Sequence, residues 1–209
     1  MITDEINDTK QINDESADNE SVSNESAGNE PSYSIEVVKI PVERIKVFLE
    51  TGGKIKKLLE SKCSVHLHIK PGEDDIEISG NPTNIFFAGD VIRAIGRGFT
   101  PEIALRLLNQ DYNLIILPLR EVASSPKNIT RLKGRVIGEN GKIKLEIESA
   151  TDSFLCIYGN TIGIVAKIDT MTHAREAVMM LLEGAPHVTV INYLSRIRRE
   201  IYEARLRGI

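Results

Sequence analysis

The chain has no tryptophan, few other aromatics and only two cysteines, Cys63 and Cys156, among its 209 residues. The cysteines are 93 positions apart and neither has a second thiol nearby. That excludes a cysteine-built metal knuckle and a disulfide scaffold, and both read as reduced, buried thiols. No apolar run approaches the roughly 20 residues that a spanning helix needs, and the acidic N-terminus is unlike a secretory signal. The expectation is a soluble, cytoplasmic protein with no membrane contact. Also missing are a Walker lysine loop, a G-x-S-x-G elbow, an H-E-x-x-H helix and a Cys–His pair in a catalytic setting. Asp74, Asp75 and Glu77 cluster in a turn, where a solvated loop accounts for them. We expect no enzyme activity, no cofactor and no metal.

What is present is unevenly charged. Net charge is -4 overall, yet residues 1–30 hold nine acids and one base, Lys10. The remaining chain carries 25 Lys and Arg against 21 Asp and Glu. A mildly basic body suits a polyanionic partner. Residues 1–32 cycle through Asn, Glu, Ser and Asp with hardly an apolar side chain, so they are expected to form a disordered acidic tail.

Beyond the tail, one order of elements occurs twice. Ile35, Val37 and Ile40 open a strand, Ile45, Phe48 and Leu49 a helix, and Thr51-Gly52-Gly53 interrupts it. Ile55, Leu58 and Leu59 resume as helix. Val65, Leu67 and Ile69 alternate with His66 and His68 in a strand, Ile76 and Ile78 mark another, and Pro82 starts a long helix toward Gly96. A short helix from Pro101 to Leu108, with Thr100 as its cap, closes this copy. The second copy runs through a strand at Tyr112–Pro118, a helix at Asn128–Val136, the break Gly138-Glu139-Asn140-Gly141 and a helix at Lys142–Ser149. Strands at Phe154–Tyr158 and Thr161–Lys167 flank a Gly159-Asn160 turn, and a helix at Thr170–Leu182 follows. A last helix over about residues 187–207 carries an apolar stripe of Ile191, Leu194, Ile197, Ile201 and Ala204. The glycine loops lie 88 residues apart, which makes this a tandem pair. The fold class is α+β, with boundaries at 33–110 and 111–209.

The second loop carries the chemistry. Two glycines bracketing two polar residues let the chain turn sharply and let a phosphate approach the backbone. Amides at the next helix start, aided by the helix dipole, favour an anion there. Arg131, Lys133 and Arg135 precede the loop, and Lys142 and Lys144 follow it. Ile137 stands beside it as a wall for an apolar base groove. A lone G-x-x-G is weak; the order of strands and helices around it is what gives it weight.

At these residues the chain resembles the KH domain of type I topology, whose G-x-x-G loop clamps about four nucleotides of single strand. Arg131-Leu132-Lys133-Gly134-Arg135-Val136-Ile137-Gly138, Gly184-Ala185-Pro186-His187 and Arg44-Ile45-Lys46-Val47 are similar to archaeal tandem-KH ribosome-assembly factors, relatives of the partner-of-Nob and Krr families. The resemblance implies two tandem type I KH domains (β-α-α-β-β-α) with a C-terminal helix extension. It implies single-stranded RNA as ligand, in the 3′ region of small-subunit ribosomal RNA. It also implies an rRNA-processing endonuclease or a translation initiation factor as neighbours. The RNA-binding set would be Arg131, Lys133, Arg135, Ile137, Gly138, Glu139, Asn140, Gly141, Lys142 and Lys144.

The first copy departs from this pattern. Glu50 holds the place of the first glycine, where its charge repels phosphate and its Cβ restricts the turn. Thr51, Gly52, Gly53, Lys54 and Lys57 are left as a weaker RNA or partner loop. Lys56 and Lys144 also replace an apolar residue common three places past the second glycine. His66 and His68 share a strand face without a third metal ligand, so an outward, solvated pair is expected. His173 and His187 suit helix-end roles. Arg196, Arg198, Arg199, Arg205 and Arg207 on the last helix read equally as a solvated face or as phosphate contacts. Two alternatives stand beside RNA binding: a protein-interaction scaffold linking ribosome or initiation components, and an RNA-processing enzyme.

Overall fold

The computed structural model describes residues 33–70 and 72–207, and the side chain of Thr51 is not among its described parts. The tail expected over residues 1–32 lies outside the described residues.

β2 and β3 form where apolar residues alternate with polar ones, the strands of the second sheet where short apolar runs occur, and the helices where the apolar period lengthens. The order is β1 (Ser34–Lys39), α1 (Val42–Cys63), β2 (Val65–Ile69), β3 (Asp75–Gly80), α2 (Pro82–Gly96) and α3 (Pro101–Ala104). A 3-10 turn over Leu105–Leu108 leads to β4 (Tyr112–Pro118), α4 (Pro126–Ile137) and α5 (Lys142–Thr151). Then come β5 (Phe154–Tyr158), β6 (Thr161–Lys167), α6 (Ile168–Leu182) and α7 (His187–Leu206). The two sheets are antiparallel and share a strand order, β1-β3-β2 and β4-β6-β5.

Matching side-chain devices show how deep the repeat runs. Glu60 and Glu148, 88 residues apart, each accept the amide seven residues on: Leu67 N at 2.9 Å and Leu155 N at 2.6 Å. Ser64 and Asp152, at the same spacing, end α1 and α5 in the left-handed conformation, both at φ 51°. An arginine also closes the long helix after the strands of each half, α2 and α6. Arg44 donates to Ile95 O and Phe99 O, both at 2.9 Å. Arg135 donates to Leu181 O at 3.0 Å and Ala185 O at 2.6 Å.

Helices cover one face of each sheet and enclose an aliphatic core. Phe48, Leu59, Ile76, Ile78, Ile92 and Ile95 fill the first core. Val136, Ile147, Ile162, Ile164, Val178 and Leu181 fill the second. Each such side chain contributes roughly 1.5–3 kcal/mol by burial. The outer face of the second sheet is covered by the first half. Val165 is part of the first core, and Tyr112, Leu114, Phe154 and Cys156 pack against it. Phe99 lies so close to Gly163 that a Cβ there would stand 2.6 Å from its ring. Arg106 stacks on Phe154, its guanidinium 4.8 Å from the ring centroid. Tyr158 donates to Glu43 at 2.5 Å across the same seam.

Several expectations are corrected here. α1 runs as one element from Val42 to Cys63, and the expected interruption is kept inside it as a kink where Gly52 and Gly53 turn left-handed, at φ 69° and 71°. The buried stripe of α7 is Val190, Leu194 and Ile197, with Ile191 outward. Thr100 precedes α3 without capping an amide by its side chain. Cys63 is buried and Cys156 half-buried, and both are free.

Candidate nucleic-acid interface

The loop between α4 and α5 follows from local chemistry. Ser125 caps α4 by accepting Asn128 N at 3.2 Å, and Pro126 occupies the first turn, where no amide partner is needed. Ile129, Leu132 and Val136 bury one side of α4, which leaves Lys127 and Arg131, one turn apart, in solvent. Gly138 ends the helix at φ 71°; a Cβ there would lie 2.4 Å from Cγ1 of Ile143. Glu139–Gly141 forms a single 3-10 turn in which Asn140 sits at φ 52°. Gly141, at φ 78°, starts α5 with no side chain capping the helix. Lys142 N donates to Glu139 O within that turn, and the absence of a side-chain cap leaves the dipole end of α5 open to an anion.

The expected cations divide by partner. Arg131 and Lys142 flank the loop, exposed and without an ion-pair partner among the described residues. Lys144 lies 3.8 Å from Glu148. Arg135 is spent on carbonyls at the end of α6, and its own carbonyl is 3.1 Å from His187 Nε2, so it frames the loop and does not face solvent. Lys133 points away from the loop, to Asn160 Oδ1 at 3.4 Å. There it joins Arg120, Ser124, Pro126, Thr130 and Asn160 around a concavity of about 430 Å³. Arg120 and Lys127 escaped the sequence reading, though Lys127 precedes Arg131 by one helical turn. Ile137 and Leu145, 36% and 60% exposed, give apolar surface on either side of the loop. Glu139 and Asn140 form its exposed tip.

In the first half, Gly52 is exposed, as are the side chains of Lys54 and Lys57, while Lys56 lies 3.9 Å from Glu60. His66 and His68 point outward from β2, and no cluster of three or more metal-ligating side chains occurs among the described residues. His173 meets the Tyr193 hydroxyl at 3.2 Å; burial and the Glu176 carboxylate push that hydroxyl well above its ordinary range. Of the arginines on and just past α7, two reach α5 or its end, two pair with glutamates of α7, and Arg199 has no ion-pair partner among the described residues. Arg198 meets Glu146 at 2.7 Å and Arg205 meets Asp152 at 3.2 Å, both on α5 or its end, while Arg196 and Arg207 pair within α7. No helix among the described residues is long and apolar enough to cross a membrane.

A glycine-bracketed turn between two helices laid on a three-stranded antiparallel sheet is the plan of the KH-type α+β proteins. Residues 113–199 match the family model of the second PNO1 KH domain, described as a eukaryotic type KH domain (KH domain type I). A KH domain-containing protein of Methanocaldococcus jannaschii is 42% identical over 177 residues, covering 82% of this chain and 78% of that protein. The pre-rRNA-processing protein PNO1 of Chaetomium thermophilum is 27% identical, over 83% of this chain and 70% of its own. A chain of the a/eIF2α–aDim2p–rRNA complex of Pyrococcus horikoshii superposes with a TM-score of 0.74 at 32% identity. It covers 80% of this chain and 96% of that one. The chain belongs to the PNO1-type KH-domain family.

Proposed function

We propose that the protein is a non-catalytic, cytoplasmic factor in small ribosomal subunit assembly. It binds single-stranded RNA of the 3′ region of small-subunit rRNA through the turn at Gly138–Gly141. In this reading the chain is two tandem type I KH domains, 33–110 with a degenerate loop and 111–209 with an intact one. The observation that carries it is the turn itself: an uncapped helix start, three residues at positive φ and two exposed cations, Arg131 and Lys142, without an ion-pair partner among the described residues. A strand clamped there by Gly138, Glu139, Asn140 and Gly141 lays its bases against Ile137 and Leu145. Its continuation along α4 reaches Lys133, Arg120 and Asn160. Lys144 adds charge from behind its ion pair, and Arg135 keeps the frame. The Gly52, Gly53, Lys54 and Lys57 surface, with Thr51, is a weaker contact. The relatives' names support the rRNA setting: one is a pre-rRNA-processing protein, and another was solved with rRNA and a/eIF2α. A translation initiation factor or an rRNA-processing endonuclease is the fitting protein neighbour.

The test is fluorescence anisotropy with a labelled single-stranded oligomer of the rRNA 3′ region, beside a duplex and an unrelated strand. Gly138 cannot be used, because any Cβ strikes Ile143 and disturbs the fold. Gly141→Asp meets open space but strains a backbone held at φ 78°, so Lys142→Glu alone is measured beside the pair Gly141→Asp with Lys142→Glu to separate charge from strain. We expect at least a roughly tenfold loss of affinity and a shallower dependence on salt. Unchanged affinity in a folded variant would sink the reading.

A further inference from the structure

β1 and β4 are equivalent edge strands treated in opposite ways. Val38 pairs with Ile76 on β3, as Leu117 pairs with Ile162 on β6. Tyr33, Ile35, Val37 and Lys39 therefore correspond to Tyr112, Leu114, Ile116 and Pro118. The phase of the ladders is fixed at their ends, where Ile40 N donates to Asp74 O at 2.9 Å and Ile168 N to Asp111 O at 2.8 Å. Antiparallel pairing alternates inward and outward amides, so those of Ile35, Val37 and Lys39 point away from β3. The same phase turns Tyr112, Leu114, Ile116 and Pro118 away from β6.

β4 closes that edge at every outward position except Ile116. Tyr112 N donates to Asn109 O at 3.0 Å, Leu114 N to Asn113 Oδ1 at 2.7 Å, and Pro118 has no amide hydrogen. Tyr112 and Leu114 also pack on the first core. β1 leaves its edge open. Its outward amides find no acceptor among the described residues, and its only partner strand is β3. Tyr33, Ile35 and Val37 are 68%, 61% and 52% exposed. An edge with free amides and alternating apolar side chains is a template for another strand.

We infer that β1 is the docking edge for an extended segment of a protein partner, which adds to the first sheet as a fourth strand. The chemistry of that segment follows from the cleft beside it. Val37, Ile40, Pro41 and Ile116 line a cavity of about 190 Å³ together with Arg97, whose guanidinium has no partner among the described residues. Lys39, by contrast, is already held by Asp75 at 3.0 Å. The segment is apolar at alternate positions, to cover Ile35 and Val37, and carries a carboxylate for Arg97. The cleft shares no lining residue with the turn at Gly138–Gly141, so the inference stands or falls separately from the RNA reading.

The probes are synthetic peptides about eight residues long, alternating valine and threonine and ending in glutamate, with a version N-methylated at every second amide as control. Amide exchange by NMR on the full chain should show new protection at Ile35, Val37 and Lys39, and none with the methylated peptide. Lys39→Pro copies what β4 already has at Pro118 and leaves the bonds to β3 intact. The paired change Ile35→Lys, Val37→Lys keeps the backbone and removes the apolar cover. Each should weaken peptide binding roughly tenfold while RNA affinity stays unchanged. The inference is overturned if no peptide protects these amides or if both variants bind as the parent does. It is equally overturned if sedimentation shows a second copy occupying the edge, or if an RNA strand protects the same amides.

Discussion

Replacing Arg135 separates a frame residue from a phosphate contact. Its guanidinium is half-buried, with Nε on Leu181 O at 3.0 Å and Nη2 on Ala185 O at 2.6 Å. Hydrogen bonds to a charged donor are worth about 1.5–3 kcal/mol each. Arg135→Ala also leaves two carbonyls at the end of α6 without this partner, so the loss is about 3 kcal/mol. For a chain of this size each kcal/mol moves the midpoint by about 2–4 °C, which gives a fall of roughly 6–12 °C in a thermal melt. Arg135→Lys keeps one donor and should lose about half as much. Arg131→Ala, exposed on the same helix, should melt within about 0.5 kcal/mol of the parent yet lose roughly tenfold in RNA affinity. Anisotropy measured well below the lower midpoint compares the two with both folded. If Arg135→Ala kept its midpoint and lost RNA binding, the assignment of Arg135 to the frame would be wrong.

Glu148→Ala removes the acceptor of Leu155 N and should cost about 1–2 kcal/mol in urea unfolding, with faster exchange at that amide first. Gly163→Ala places a methyl against Phe99 at the seam between the halves; a loss of about 1–3 kcal/mol is expected by calorimetry. The Tyr158–Glu43 bond sets a pH window. The Tyr158 hydroxyl holds the Glu43 carboxyl below its ordinary value of 4.5, so its contribution is full above that value and fades as pH falls through the lowered one. The same contact raises Tyr158 above 10.0, so it is also lost as pH rises through that higher value. Tyr158→Phe should therefore show a weaker fall in midpoint than the parent between pH 5 and pH 3.

Periodicity made most elements legible. β4, β5 and β6 fall at the apolar runs that predict them, and Ala174, Ala177, Val178, Leu181 and Leu182 of α6 are all buried. The glycine loop was legible because a sharp turn leaves a residue-type signature. What the sequence could not convey is where a cation goes once the chain has folded. Arg131, Lys133 and Arg135 lie within five residues, yet one faces the loop's solvent side, one the hairpin turn and one the end of α6. Those directions depend on a half-turn of helix and on carbonyls 46 and 50 residues away. The α7 stripe slipped by one residue for a similar reason. Which of Val190 and Ile191 turns inward is decided by packing against α5 and α6, and both are β-branched aliphatics.

Position 50 is where the two halves diverge, and the backbone shows why a single residue has such reach. Gly138 lies so near Ile143 that no side chain fits, and that closeness is what breaks α4 from α5. With Glu50 at the corresponding place, the chain stays right-handed there and confines its left-handed turn to Gly52 and Gly53. α1 then kinks at Gly52 and Gly53 rather than ending at position 50, so the first half lacks the glycine-bracketed helix start of the second. Charge and backbone can be told apart in a chain whose second loop is silenced by Gly141→Asp with Lys142→Glu. There, Glu50→Gln removes only the carboxylate, and Glu50→Gly also permits the break. We expect the glutamine variant to raise residual RNA affinity about twofold and the glycine variant about tenfold, because an open helix start rather than absent repulsion makes the anion site. Equal gains from the two would mean that the negative charge, not the missing turn at position 50, had closed the first loop to RNA.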